Sequence, residues 1–102
     1  MWFTILFRKK DKKQFKKGKF LSTRAKNCKF QTGKKHKLNF GLNKPAEAEA
    51  FFQDSFLYDL NCLTDTMANY LGYDSKEEYL KEGFNQKDNI KKVYIMKDIT
   101  FF

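Results

Sequence analysis

Alternating apolar residues predict a β-strand at the start of the chain. Between Trp2 and Arg8, the side chains of Phe3, Ile5 and Phe7 fall on one side. Because successive side chains of a strand point to opposite faces, this alternation gives the strand one apolar face. We therefore expect the segment to be the first strand of a sheet.

A short helix is predicted next, over Lys9 to Lys17. At 100° per residue, its six lysines fall within an arc of about 160°. Phe15 lies outside that arc and can hold the helix to a core, and Gly18 can end the helix. The lysine comb, as we call this set, consists of Lys9, Lys10, Lys12, Lys13, Lys16 and Lys17.

Strand-like segments recur through the rest of the chain. They cover Lys19 to Arg24, Lys35 to Leu42, Phe51 to Leu60 and Lys92 to Phe102. In the second of these, one face holds His36, Leu38, Phe40 and Leu42, and in the last, one face holds Val93, Ile95, Ile99 and Phe101. We expect His36 to be a partly buried structural histidine. Residues 46–50 fit either a helix or a strand.

Two short helices are predicted before the last strand. The first runs from Thr64 to Gly72, and the second begins at Asp74 and Ser75 and ends at Gly83. The predicted inner faces consist of Met67, Tyr70 and Leu71 in the first helix and Tyr79 and Leu80 in the second. The spacing of Ser75 and Glu78 is that of a capping box, which starts a helix.

The resulting order of elements is β-α-β-β-β-α-α-β. With 41% hydrophobic and 18% aromatic residues, the chain has enough apolar material for one core. We expect residues 1–102 to form a single domain of the α+β class, with three short helices around a small closed sheet of five or six strands.

Charge is distributed unevenly along the chain. Residues 1–44 contain 15 basic residues and one acid, Asp11, a net charge of +14. Residues 45–102 contain 6 lysines and 11 acids, a net charge of −5. This separation predicts a basic face with few acids near it, as is typical of proteins that bind polyanions.

Neither the cysteines nor the histidine indicate a chemical site. Cys28 and Cys62 lie 34 positions apart and, with only His36 besides, lack the spacing of a zinc site or a redox pair. We expect buried structural thiols, no metal and no cofactor. The apolar run before Arg8 is too short for a membrane span, and basic residues follow rather than precede it. These features predict a cytoplasmic protein without a membrane partner.

Three short motifs resemble those of the ASCH domains, small barrels related to the PUA domains of RNA-modifying proteins. Residues 17–24, KGKFLSTR, resemble the family's Gly-x-Lys-x-x-Thr-x-Arg, with the glycine displaced by one position. Residues 30–34, FQTGK, keep the frame of a Phe-x-x-Gly-Asp turn. Residues 63–64, LT, and 72–78, GYDSKEE, resemble a Leu-Thr-led helix and a Gly-Phe-x-Ser-x-Glu-Glu segment. The resemblance implies a PUA-like β-barrel.

The same resemblance implies candidate catalytic residues. Some small ASCH proteins are acetylcytidine amidohydrolases, in which a lysine, a threonine and a glutamate are thought to act. Lys19 and Ser22 match the lysine and the threonine, but Leu71 stands where the glutamate is expected. Unless Asp65 or Asp74 replaces it, no carboxylate is available to transfer a proton. We therefore expect a binding module rather than an enzyme.

Nucleic acid is the expected partner, with RNA favoured over DNA. Lysine clusters neutralise phosphates and release counterions. We expect the lysine comb, Lys19, Arg24 and Lys26 to contact nucleic acid, with Lys19, Ser22 and Arg24 forming a small pocket. Two alternatives remain open. One is an amidohydrolase of acylated nucleosides, and the other is a phage-type interaction protein that binds an acidic host protein.

Overall fold

The elements follow the predicted order. The computed structural model describes residues 4–41, 45–82 and 89–102. Its strands and helices are β1 (Thr4–Phe7), α1 (Asp11–Lys16), β2 (Leu21–Ala25), β3 (Lys34–Phe40), β4 (Ala48–Asp59), α2 (Asp65–Tyr70), α3 (Lys76–Lys81) and β5 (Ile90–Phe101). A 3-10 turn over Leu60–Cys62 leads from β4 towards α2. Trp2, Phe3, Leu42 and Gly83, which the sequence places at element ends or faces, lie outside the described residues.

The five strands form one mixed sheet, which confirms the α+β class. Their order is β1-β3-β4-β5-β2. β1 is parallel to β3, and the other neighbours are antiparallel. The expected closure of the sheet is not formed by the backbone, because no hydrogen-bonded ladder joins β1 to β2 within the described residues. The two edge strands instead line a pocket that is described below.

One face of the sheet encloses the first core. The predicted inward faces of β1 and β3 are confirmed, and Phe15 anchors α1 to them. The buried residues of this core are Ile5, Phe7, Phe15, Leu38, Phe40, Ala48, Ala50, Phe52, Tyr94 and Met96. Residues 48–50, which fit either a helix or a strand in the sequence, belong to β4. His36 is buried as expected, and its ring packs edge-on against Phe52 at 4.8 Å.

The helices α2 and α3 cover the opposite face of β2 and β5 and create a second core. Its buried residues are Leu21, Leu60, Leu63, Ala68, Leu71, Tyr73, Tyr79 and Val93. Along β5, Val93 packs in the second core, whereas the next residue, Tyr94, packs in the first. Both faces of this strand are therefore buried, and the prediction that it has one apolar face is wrong. Asp98 adopts a left-handed φ of 52°, and beyond it Ile99 and Phe101 pack against the first core.

The helix starts are confirmed, but the predicted inner faces are only partly right. The Thr64 hydroxyl accepts a hydrogen bond from the Met67 amide, and the Ser75 hydroxyl accepts one from the Glu78 amide. Tyr70 and Leu80 are 43% and 41% exposed, which corrects their assignment to the core. A helix of six residues makes fewer than two turns, so it buries a narrower stripe than a longer helix would.

The two cysteines are free thiols. Cys28 is half-buried and packs against the first core. Cys62 is exposed, so the expectation of a buried thiol is wrong there, because the 3-10 turn directs it away from both cores. Within the part of the chain that the structure describes, no helix has the length and apolar character needed to span a membrane.

Gly72 allows α2 to end against α1. Its φ of +95° disfavours any side chain, and a Cβ there would lie 2.7 Å from the Cβ of Gln14. We expect Gly72→Ala to lower the free energy of unfolding by the strain of the left-handed backbone, about 1–3 kcal/mol, plus about 1–3 kcal/mol for overpacking.

Gly18→Ala is the matched control for this prediction. Gly18 also has a left-handed φ, +107°, but a Cβ there would meet nothing within 4 Å. Chemical denaturation of both variants measures the difference. Equal losses of stability would show that the contact with Gln14 costs nothing.

Candidate functional site

A pocket of about 160 Å³ lies between the two edge strands of the sheet. β1 and the residue after it supply Leu6, Phe7 and Arg8, and β2 supplies Ser22, Thr23 and Arg24. Asp11, Lys19, Tyr73 and Tyr79 complete the lining. The site therefore occupies the gap that the backbone leaves open in the sheet.

The three pocket residues expected from the sequence, Lys19, Ser22 and Arg24, all line this cavity. Lys19 precedes β2, and the alternation of that strand places Leu21 in the second core while Ser22 faces the pocket. Lys19 is 6% exposed and Ser22 is 4% exposed. Among the described residues, the structure gives the Ser22 hydroxyl no hydrogen-bond partner. Its polar group is therefore available to a ligand.

Lys19 is a buried amine. Its Nζ donates a hydrogen bond of 3.4 Å to the Gln14 side chain and lies 5.8 Å from the centre of the Phe15 ring. Burial lowers the pKa of Lys19 from 10.5 to about 8. The positive charges of Arg8 and Arg24 contribute to this lowering, while the carboxylate of Asp11 opposes it. Lys19 is therefore charged at neutral pH but close to titrating.

Arg24 connects the two edge strands through its side chain. Its Nη2 donates a hydrogen bond of 2.6 Å to the Leu6 carbonyl in β1. The guanidinium also lies 4.7 Å from the centre of the Phe7 ring and 5.3 Å from that of Phe30, both within cation–π distance. Burial lowers the pKa of Arg24. This arginine forms a wall of the pocket, with one donor already committed to the protein.

Asp11 is the pocket carboxylate that the sequence reasoning missed. It is 5% exposed, and it accepts hydrogen bonds from the Arg8 amide at 2.9 Å and from Arg8 Nη2 at 3.2 Å. Arg8 Nη2 also donates to the Tyr73 hydroxyl at 3.2 Å. Burial lowers the pKa of Arg8, but the bonds to Asp11 and Tyr73 outweigh it and raise the pKa. One signal was present, because Asp11 is the only acid in the first 44 residues.

A pair of hydroxyl groups forms the inner wall of the pocket. Thr23 Oγ1 and the Tyr79 hydroxyl lie 2.9 Å apart and share a hydrogen bond. Burial raises the pKa of Tyr79, and its ring packs edge-on against Tyr73 at 5.2 Å. Tyr79 is expected in the core from the sequence but not in a site, because α3 and β2 are far apart in the chain.

Solved structures with a similar architecture come from an ASCH protein of Zymomonas mobilis. One superposes with a TM-score of 0.73 at 13% sequence identity and covers 96% of this chain and 68% of that chain. A serine-to-alanine variant and a tyrosine-to-phenylalanine variant of the same protein superpose with TM-scores of 0.72 and 0.71. This chain has the ASCH fold. No protein-family model matches its sequence, and no curated protein is significantly similar to it.

The resemblance to the ASCH domains predicts a glutamate at position 71, where this chain has Leu71. The surroundings of Leu71 explain why an apolar residue stands there. Leu71 is 1% exposed and packs in the second core, outside the residues that line the pocket. The two other candidate acids are exposed, and Asp65 accepts a hydrogen bond from the Lys76 amide rather than facing the pocket. Among the described residues, Asp11 is therefore the carboxylate that lines this pocket.

The lysine comb surrounds α1 beside the pocket, but it is partly neutralised. Lys10 forms an ion pair with Glu82, and Lys12 lies 3.2 Å from Glu47. The expectation that acids are nearly absent around the comb is therefore wrong, because the fold brings these two from the acidic half of the chain. The remaining comb residues Lys9, Lys13, Lys16 and Lys17 are exposed, as is Lys26 after β2.

No group of metal-binding side chains is visible in the described part of the chain. Across residues 4–41, 45–82 and 89–102, no three histidine, cysteine or acidic side chains are grouped closely enough to hold an ion. The chemistry of the pocket is therefore that of amines, guanidiniums, hydroxyls and one carboxylate.

The lowered pKa of Lys19 predicts a pH dependence of stability. Between pH 8 and the ordinary value of 10.5, the unfolded chain holds a proton on this amine that the folded chain has lost. The unfolded state then binds more protons, so this group makes the free energy of unfolding rise with pH, by up to about 3 kcal/mol.

Lys19→Met is the reference that isolates this effect. Tyr79 and Tyr94 have raised pKa values and act in the opposite direction as pH rises through their titration. Urea unfolding of both proteins between pH 7 and 10.5 gives the difference. A difference that does not change with pH would show that Lys19 keeps its ordinary pKa.

Proposed function

We propose that this ASCH-fold chain is a non-catalytic nucleic-acid-binding module, with RNA favoured over DNA. The observation that carries the proposal is that one short helix joins two basic features. α1 and its flanks bear the lysine comb, and the same helix contributes Asp11 to a pocket that also contains Arg8, Lys19 and Arg24. A polyanion lying along α1 would pass directly beside the pocket.

The comb would supply affinity without sequence selectivity. Lys9, Lys13 and Lys17 are exposed and form no ion pair within the described residues, so they are free to contact phosphates. Lys10 and Lys12 are already paired with carboxylates and would contribute less. Contacts between lysine and phosphate position a protein on nucleic acid but do not read its sequence.

The pocket would supply selectivity at one position of the ligand. Lys19 and Ser22 are buried groups that face it, and neither is fully occupied by partners within the protein. Arg24 forms a wall of the same pocket, and its hydrogen bond to the Leu6 carbonyl holds its side chain there. RNA is preferred in this proposal because the related PUA domains occur in RNA-modifying proteins. We propose that the chain acts in the cytoplasm.

Salt dependence tests the contribution of the comb. With three to six phosphate contacts, the affinity for a short RNA should fall with a log-log slope of roughly −2 to −5. Replacing Lys9, Lys13 and Lys17 together by glutamine removes three contacts and should flatten this slope by about 2 units. Fluorescence anisotropy at several salt concentrations measures both slopes.

A second triple variant controls for net charge. Lys76, Lys81 and Lys97 are exposed and lie on α3 and β5, so replacing them by glutamine removes the same charge elsewhere. We expect this variant to keep the parental slope. If neither nucleic acid binds at low salt while an acidic polypeptide does, the acidic-protein alternative replaces the nucleic-acid proposal.

The amidohydrolase alternative is supported by one observation: Lys19, Ser22 and a carboxylate share a pocket. We expect no release of acetate from acetylcytidine, because Asp11 accepts hydrogen bonds from Arg8 on both of its oxygens. Turnover in a direct acetate assay that Lys19→Met and Ser22→Ala both abolish would reverse this ranking.

A further inference from the structure

We propose that the pocket between β1 and β2 binds the terminal phosphate monoester of a nucleic-acid strand. The proposal builds on the proposed nucleic-acid function and names the group that the pocket would select. Its basis is the combination of charge, hydrogen-bond donors and shape in this one cavity.

The charge of the pocket matches a dianion. Arg8, Lys19 and Arg24 contribute three positive charges, and Asp11 contributes one negative charge. Outside the lining, a carboxylate oxygen of Glu82 lies 3.7 Å from Arg8 Nη1. Glu82 is also paired with Lys10, and because these two charges cancel, they leave the net charge of the pocket unchanged. A phosphate monoester carries about −1.5 to −2 at pH 7, whereas an internal phosphodiester carries −1. Buried charges are stable only when they are compensated.

The pocket also has more hydrogen-bond donors than acceptors. An ammonium group has three donors, and the structure gives that of Lys19 one acceptor among the described residues, Gln14. Ser22 adds a hydroxyl. Thr23 and Tyr79 add two hydroxyls, which share a hydrogen bond with each other. A phosphate monoester presents three acceptor oxygens and therefore suits this set of groups.

The surroundings of the pocket favour a chain end over a chain interior. On one side, Leu6, Arg8 and Arg24 also line a second depression of about 320 Å³ that extends to Gly41 and can receive the attached nucleoside. On the other side, Tyr73 borders a depression lined by Glu78, Lys81 and Glu82. Lys81 and the ion pair of Glu82 with Lys10 balance its two carboxylates, so this depression offers a strand no net positive charge. A strand that ends in the pocket, with its nucleoside in the first depression and nothing in the second, fits both surfaces.

The test compares three versions of one single-stranded RNA of ten nucleotides, bearing a 5′-phosphate, a 3′-phosphate or hydroxyls at both ends. We expect at least one phosphorylated form to bind roughly tenfold or more tightly than the hydroxyl form, as charge-assisted hydrogen bonds allow. The form that gains identifies which end is recognised. Equal affinities of all three RNAs would overturn the proposal and leave the nucleic-acid function intact.

Variants separate the pocket from the comb. Lys19→Met should remove the preference for a phosphorylated end, whereas the triple glutamine variant of Lys9, Lys13 and Lys17 should weaken all three RNAs by the same factor. A preference that survives Lys19→Met would overturn the proposal. Thermal unfolding checks that the methionine variant is folded, and Lys19→Arg, which keeps the charge, should retain part of the preference.

Mononucleotides test the pocket without a strand. Uridine 5′- and 3′-monophosphates should raise the pKa of Lys19, followed by NMR of the intact chain, while uridine should not. If no RNA binds but a monophosphate shifts this titration, the nucleic-acid function fails and the phosphate site stands. If RNA binds without distinguishing its ends, the proposal fails, whether or not a monophosphate acts.

Discussion

The guanidinium of Arg24 connects two strands that the backbone leaves apart. β1 and β2 are the edges of the sheet, and the bond from Arg24 to the Leu6 carbonyl crosses the gap between them. Stacking against Phe7 and Phe30 fixes the side chain in that position. Because a side chain rather than a ladder spans the gap, a cavity remains where a closed sheet would have none. The site exists because closure is incomplete.

Features encoded by neighbouring residues could be predicted from the sequence. The order of the elements follows from alternation and from capping residues such as Thr64 and Ser75. Lys19, Ser22 and Arg24 could be assigned to one pocket because residues 17–24 resemble a motif of the ASCH domains, and the structure does place all three in one cavity. Their identity and their common location were thus readable before any tertiary contact was known.

Features that depend on distant contacts could not be predicted. Asp11 reads as one residue of a solvated helix, and only the fold brings it against Arg8 and into the same pocket as Tyr79. The pairing of Lys12 with Glu47 likewise joins a lysine from the basic half of the chain to an acid from the acidic half. Charge segregation along a chain therefore overstates charge segregation on its surface, since folding brings opposite charges together.

The parallel pairing of β1 with β3 has a consequence for when the pocket exists. β1 is the first strand in the chain, yet its ladder is with β3, beyond α1 and β2. Such non-local pairing must wait until the intervening chain is ordered. Since β1 forms one wall of the pocket, a ligand held there binds only molecules in which this strand is docked, and by mass action it favours docking. Occupancy of the pocket and attachment of the first strand are therefore linked equilibria, and each favours the other.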